Sequence, residues 1–158
     1  MAKKSQPQSV TITNRRAWHD YHIGETFEAG IVLSGTEVKS LRQGRASLQE
    51  AYCKVEGGEV FIIGMHIAPY EQGNRFNLDP LRPRKLLLHR EEIRRIERHL
   101  QQKGYTLIPL KLYFARGYAK LQIALARGKK LYDKREAIAR RDAELERRRA
   151  EAAWHRTP

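Results

Sequence analysis

Residues 105–128 read "YTLIPLKLYFARGYAKLQIALARG". Apolar and polar residues alternate on both sides of Arg116-Gly117, the spacing of a strand, and the pair between them marks a β-hairpin. Pro109 has no N–H to give to a ladder, which predicts an edge strand or a bulge at that point. A second hairpin stands upstream in "LQEAYCKVEGGEVFIIGMHIAPY" (48–70), where two alternating runs flank Gly57-Gly58, a two-residue signal for a primed turn. In "HDYHIGETFEAGIVLSG" (19–35), Tyr21 and Ile23, then Phe27, Ala29, Ile31 and Leu33, again fall two apart, with a turn expected at Gly24.

Helices interrupt the strands. "TEVKSLRQG" has Thr36 as its N-cap candidate, Val38 and Leu41 on one face and Gly44 as its stop. "KLLLHREEIRRIERHLQQKG" (85–104) begins as a brief strand. It continues as a helix with His89 at the N-cap, Glu92 three residues on, and Ile93, Ile96 and Leu100 as one apolar stripe before Gly104. Between residues 71 and 84, Pro80, Pro83 and small polar residues read as a loop carrying exposed Arg75, Arg82 and Arg84, a basic loop suited to ligand contact. The resulting fold class is mainly β with helices. About six short antiparallel strands with one short and one longer helix suit a small closed barrel, a class that includes the OB-fold, followed by a basic tail that is helical or disordered.

The 158 residues suit one compact domain of roughly 100 to 130 residues with extensions. We divide the chain into a mobile basic leader (1–13), a barrel (14–127) and a tail (128–158). Lysine and arginine total 31 against 18 acidic residues, a net charge of +13 and a pI near 10.2, the footprint of polyanion binding. Neither a signal peptide nor a spanning segment of roughly 18 apolar residues is evident, so a cytoplasmic protein is expected. The single cysteine, Cys53, excludes an internal disulfide and a multi-cysteine zinc site and reads as a buried strand residue.

The tail lacks the apolar stripe of a docked helix, since Ile138 and Leu145 are the only large apolar residues from Asp133 to Arg149. The pairs Glu136 with Arg140 and Glu144 with Arg148 favour helix by about 0.2 to 0.5 kcal/mol each, too little to hold it in isolation. Leu145 and Trp154 hint at a coiled-coil seam, but sustained heptads are missing. Fraying when free and helix on a polyanion are expected. Lys129, Lys130, Lys134 and Arg135 suit phosphates, and Tyr132 among them offers a ring for stacking or serves as an ordinary surface tyrosine.

Catalytic signatures are absent. "RGKK" fails the phosphate-loop pattern, with Ile123 and Lys130 at defining positions. His19 and His22 are three apart where a strand or turn is expected, and Glu25, Glu28 and Glu37 are scattered without a nucleophile and base. We expect no enzyme, no metal and no cofactor.

"NRRAWHDYHIGETFEAGIVLSGTEVKSLRQG" (14–44), "RPRKLLLHREEI" (82–93) and "LARGKKLYDKR" (125–135) together resemble the SmpB family of bacterial SsrA-binding proteins. The resemblance implies an OB-like barrel, monomeric as a protein, that holds the tRNA-like domain of transfer-messenger RNA. It also implies delivery of that RNA to stalled ribosomes, where the tail enters the empty messenger channel past the decoding centre. By position, Asn14, Arg16, His19, Glu28, Leu87 and Lys120 match the family's RNA-binding surface. Arg16 and Lys120 suit phosphates, Asn14 a base or sugar, and Leu87 an unstacked nucleotide. Glu28 is repulsive beside RNA unless it accepts from a base amine or orders a neighbouring arginine. Gly128, Lys129, Lys130, Asp133, Lys134 and Arg135 match the ribosome-engaging tail motif, with Tyr132 in a slot for an aromatic or histidine.

Two positions depart from the family. Trp18 stands where a basic residue is common, so its RNA contact becomes stacking, and Ala143 with the arginines at 147–149 replaces a bulky tail residue, leaving no assigned role beyond Arg141. The alternative readings are a structural ribosomal or general RNA-binding protein whose tail threads ribosomal RNA, and an RNA hydrolase for which no site is evident.

Overall fold

The computed structural model describes residues 10–72, 77–129 and 139–150. Expectations for most of the leader, for Arg75, for Trp154 and for tail residues 130–138 lie outside the described residues. In chain order the elements are β1 (Ile12–Thr13), α1 (Arg15–Asp20), β2 (Tyr21–Ile31), α2 (Gly35–Arg42), β3 (Ala46–Ser47), β4 (Tyr52–Glu56), β5 (Glu59–Ile63) and β6 (His66–Ile67). They continue with β7 (Arg84–Leu87), α3 (Arg90–Leu100), β8 (Tyr105–Ala115) and β9 (Tyr118–Gly128), and a helical stretch at 139–150 is denoted α4.

The hairpins form where their turn residues require. Gly57 and Gly58 take φ of +59° and +76°, and Arg116 and Gly117 take +53° and +82°, the left-handed pairs that match the twist of antiparallel strands. From the second turn β8 and β9 run in continuous register, Ala115 opposite Tyr118 back to Lys111 opposite Gln122, until the register shifts between Pro109 and Lys111. Pro109 therefore sits at a bulge. It is not at an edge, because β8 is flanked by β9 on one side and by β1 and β4 on the other.

Among the described residues, six strands close a ring in the order β8, β4, β5, β7, β2, β9 and back to β8, with β1 added outside β8. Closure removes the exposed edges that an open sheet would offer. Phe27, Ala29 and Ile31 of β2, Val60 and Ile62 of β5, Leu86 of β7, and Leu121, Ile123 and Leu125 of β9 point inward and are buried. Ile96 of α3 and Leu41 of α2 join the same core. Each Val, Leu, Ile or Phe side chain among them contributes about 1.5 to 3 kcal/mol.

Outside the ring lies a second, smaller cluster. Ala17 of α1 packs on Ile108, Leu110, Ala124 and Ala126 of β8 and β9. The bulge frees the carbonyls of Pro109 and Leu110, and Asn14 satisfies both: its backbone N–H donates to Leu110 O at 2.8 Å and its Nδ2 to Pro109 O at 3.0 Å. The bulge thus supplies the seat on which α1 rests.

Several expectations are corrected. No turn occurs at Gly24: β2 is one eleven-residue strand, with a register irregularity between Ile23 and Thr26 that absorbs the glycine. The N-cap of α2 is Ser34, not Thr36, because Ser34 Oγ accepts from Glu37 N–H while the Glu37 carboxylate accepts from Ser34 N–H. The short elements α1, β1, β3 and β6 carry too little periodicity to be read in the sequence.

Arg82 and Arg84 are not free ligand contacts either. Arg84 is 1% exposed, and its guanidinium donates to Glu37 Oε2 at 2.6 Å, to Met65 O at 2.7 Å and to Pro80 O at 3.0 Å. Arg82 donates to both oxygens of the same carboxylate. Burial alone would raise the Glu37 carboxyl, but donors from Arg82, Ser34 and Arg84 outweigh it and hold the group below its ordinary value. The triad clamps the segment leading into β7 against α2.

Candidate nucleic-acid interface

The residues matched by position to an RNA-binding surface fall into two groups. The first is carried by α1 and its cap. Arg16 and His19 are exposed, and His19 Nδ1 lies 2.9 Å from Asp20 Oδ1. Asn14 is 5% exposed, with its Nδ2 donating into the bulge and its Oδ1 without a hydrogen-bond partner among the described residues. A cavity of about 260 Å³ separates α1 from the segment leading into β4, lined by Asn14, Arg16, Asp20, Tyr21 and Tyr52. Trp18 is 57% exposed beside this group, a free ring for stacking.

The second group occupies the outer face of the barrel. Strand register puts Leu87 of β7 opposite Gly30 of β2, Gly30 opposite Lys120 of β9, and Lys120 opposite Tyr113 of β8. One row therefore crosses four strands with its side chains outward, since the neighbours Leu86, Ile31, Leu121 and Leu112 are buried inside. Two residues along, Glu28, Gln122 and Lys111 form the next row. Gly30 opens the middle of this face. A Cβ there would lie 3.3 Å from Leu87 Cβ, and the space it leaves belongs to a cavity of about 250 Å³ lined by Leu33, Val38, Leu87, Tyr118 and Lys120. Apolar walls with one ammonium at the rim suit an unstacked nucleotide.

Glu28 accepts a hydrogen bond from the Tyr113 hydroxyl, so its neighbour is a tyrosine and not an arginine. Partial burial and the Glu28 carboxylate push the Tyr113 phenol up to about 12. Lys111 Nζ lies 5.5 Å from the centre of the same ring.

At the start of the tail, Gly128 is still paired with Tyr21, and Lys129 is fastened to the end of α1 by its N–H to Asp20 O at 2.8 Å and its Nζ to Trp18 O at 3.3 Å. Lys130, Tyr132, Asp133, Lys134 and Arg135 lie outside the described residues. Residues 139–150 are helical and exposed throughout, with Arg148 donating to Glu144 at 2.8 Å as the spacing predicts. Cys53 is buried on β4, and burial pushes its thiol up. His19 lies on α1 and His22 on β2, and among the described residues no group of three or more His, Cys, Asp or Glu side chains could hold a metal ion. No helix among them is long and apolar enough to cross a membrane.

The sequence pattern did not place Gly30, Lys111, Tyr113 and Tyr118 on this face. The signal for Tyr113 was present, because counting outward from Arg116-Gly117 sets it opposite Lys120. Gly30 carried no such signal, since its place depends on two long-range strand pairings.

Comparison with known proteins identifies the lineage. The family model described as SmpB protein matches residues 11–153. An SsrA-binding protein from Caldicellulosiruptor bescii is 60% identical over 148 residues, covering 92% of this chain and 94% of that one. Another from Acetivibrio thermocellus is 61% identical over 150 residues, covering 94% and 96%. A solved chain described as "tmRNA-SmpB: a journey to the center of the bacterial ribosome" superposes with a TM-score of 0.67 at 53% identity, covering 81% of this chain and 94% of that one. The chain belongs to the SmpB family.

Proposed function

We propose that this chain binds the tRNA-like domain of transfer-messenger RNA and delivers it to stalled ribosomes for trans-translation. In this reading Arg16, His19 and Lys120 meet phosphate or sugar, and Leu87 packs on a nucleotide. Asn14 seats α1 through its backbone N–H and its Nδ2. The observation that carries the reading is the outer row Leu87, Gly30, Lys120, an apolar cleft rimmed by an ammonium. The names of close relatives, SsrA-binding proteins, support the choice of RNA. Residues 128–158 act as the tail in the empty messenger channel and decoding centre, while the barrel supplies RNA specificity. The protein carries out no chemistry of its own and works in the cytoplasm.

The test is a salt-titrated binding curve of the full chain, and of a chain cut after Lys129, against the tRNA-like domain with elongator tRNA as competitor. That cut preserves the Lys129 bonds to α1. Affinity within about threefold of the full chain, with peptide tagging on stalled ribosomes abolished, is expected. Equal affinity for elongator tRNA, or loss of affinity on truncation, would overturn the division of labour between barrel and tail.

A further inference from the structure

We infer that Tyr113 is an RNA-contacting residue of the outer face, and that Glu28 serves RNA binding indirectly, by holding the Tyr113 hydroxyl. The inference deepens the proposed function and rests on it.

A carboxylate on a surface meant for phosphate is an electrostatic cost unless it does something local. Glu28 stands in the row of Gln122 and Lys111, next to the row of Lys120, where bare negative charge would repel the ligand that both lysines attract. It accepts from the Tyr113 O–H, and that bond spans from β2 across β9 to β8. The phenol is thereby tied at its tip while its base is fixed in the strand, so the ring has one orientation on the rim of the face.

Its position suits a contact role. Tyr113 is the direct cross-strand partner of Lys120, and Lys111 Nζ approaches the ring at 5.5 Å. An aromatic ring flanked by two ammonium groups can take an unstacked base on its π surface while the lysines take the adjoining phosphates. The tether fixes the ring before RNA arrives, which reduces the ordering cost of binding. The phenol stays protonated throughout the physiological range, so it remains a donor to Glu28.

The experiment is a double-mutant cycle on affinity for the tRNA-like domain, with unfolding curves run on each variant to establish that it is folded. Tyr113→Ala should weaken binding by roughly tenfold or more. Tyr113→Phe, which keeps the ring and loses the tether, should weaken it by a smaller factor close to that of Glu28→Ala. The combination of Tyr113→Phe with Glu28→Ala should be no worse than either alone, and Glu28→Gln, which retains an acceptor, should recover most of the loss. Salt slopes should stay unchanged in all four single variants but flatten by about 0.9 in Lys120→Ala, which removes a phosphate contact.

If Glu28→Ala costs the same factor in the Tyr113→Phe background as in the wild type, Glu28 acts directly and the inference is wrong. If Tyr113→Ala binds normally while Lys120→Ala is weakened, Tyr113 makes no contact and the inference is wrong. Failure of the wild-type chain to bind, or normal binding by Lys120→Ala, would instead strike the RNA reading of the face itself.

Discussion

Two glutamates on this barrel answer to opposite demands. Glu37 is 5% exposed and is gripped by Arg82, Arg84 and the Ser34 backbone where α2 meets the segment entering β7. Glu28 is exposed on the outer wall and accepts from one tyrosine. A buried carboxylate must be fully compensated or the fold fails, so its partners are charged and several. A carboxylate in water has no such requirement, and a neutral partner such as Tyr113 serves geometry and not neutralisation. Charge density is thus a poor guide to the binding surface here: the arginines grouped on Glu37 hold the fold together, while the proposed RNA face has few charges and open rings.

Removing each carboxylate should separate the two roles. The largest effect is expected from Glu37→Ala, which leaves Arg84 buried without its counter-ion and should cost about 3 to 5 kcal/mol in urea unfolding. A cost below about 1 kcal/mol would mean that water replaces the carboxylate and that the contrast with Glu28 is false. A graded effect should come from pH. The folded state holds Glu37 below its ordinary value of 4.5, so its stabilisation is complete above that pH and is lost as pH falls through the folded value. The stability difference between wild type and Glu37→Gln should therefore shrink below about pH 4.5, as read from unfolding midpoints across pH 3 to 7. The smallest effect should be that of Glu28→Ala on unfolding, within about 0.5 kcal/mol of wild type. A larger loss would make Glu28 architectural too.

What the sequence made legible follows the range of the interactions. Both hairpins, the His89–Glu92 start of α3 and the inward faces of β5, β7 and β9 depend on neighbours within a few residues, so alternation and turn chemistry suffice to read them. Arg84 could not be read as buried, because its partners Glu37, Met65 and Pro80 converge from three separate segments. Asn14 looked like an RNA ligand, and its engagement by the β8 bulge depends on where Pro109 breaks the register. The surface positions came from resemblance. Lys120 and Leu87 then proved to share one row through Gly30, an adjacency that no local pattern encodes.

The closure of the ring also has a consequence for how the protein is made. Among the described residues the strand that seals the barrel, β9, comes last in chain order, and it joins Tyr21 to Gly128 and Gly30 to Lys120. Pairings this remote fold late, because the loop between them must be ordered before the contacts reward it. A nascent chain halted before residue 118 lacks β9 entirely, leaves one side of β2 unpaired and opens the apolar interior to its neighbours. A protein proposed to act on stalled ribosomes is thus among those whose own unfinished form is an aggregation hazard.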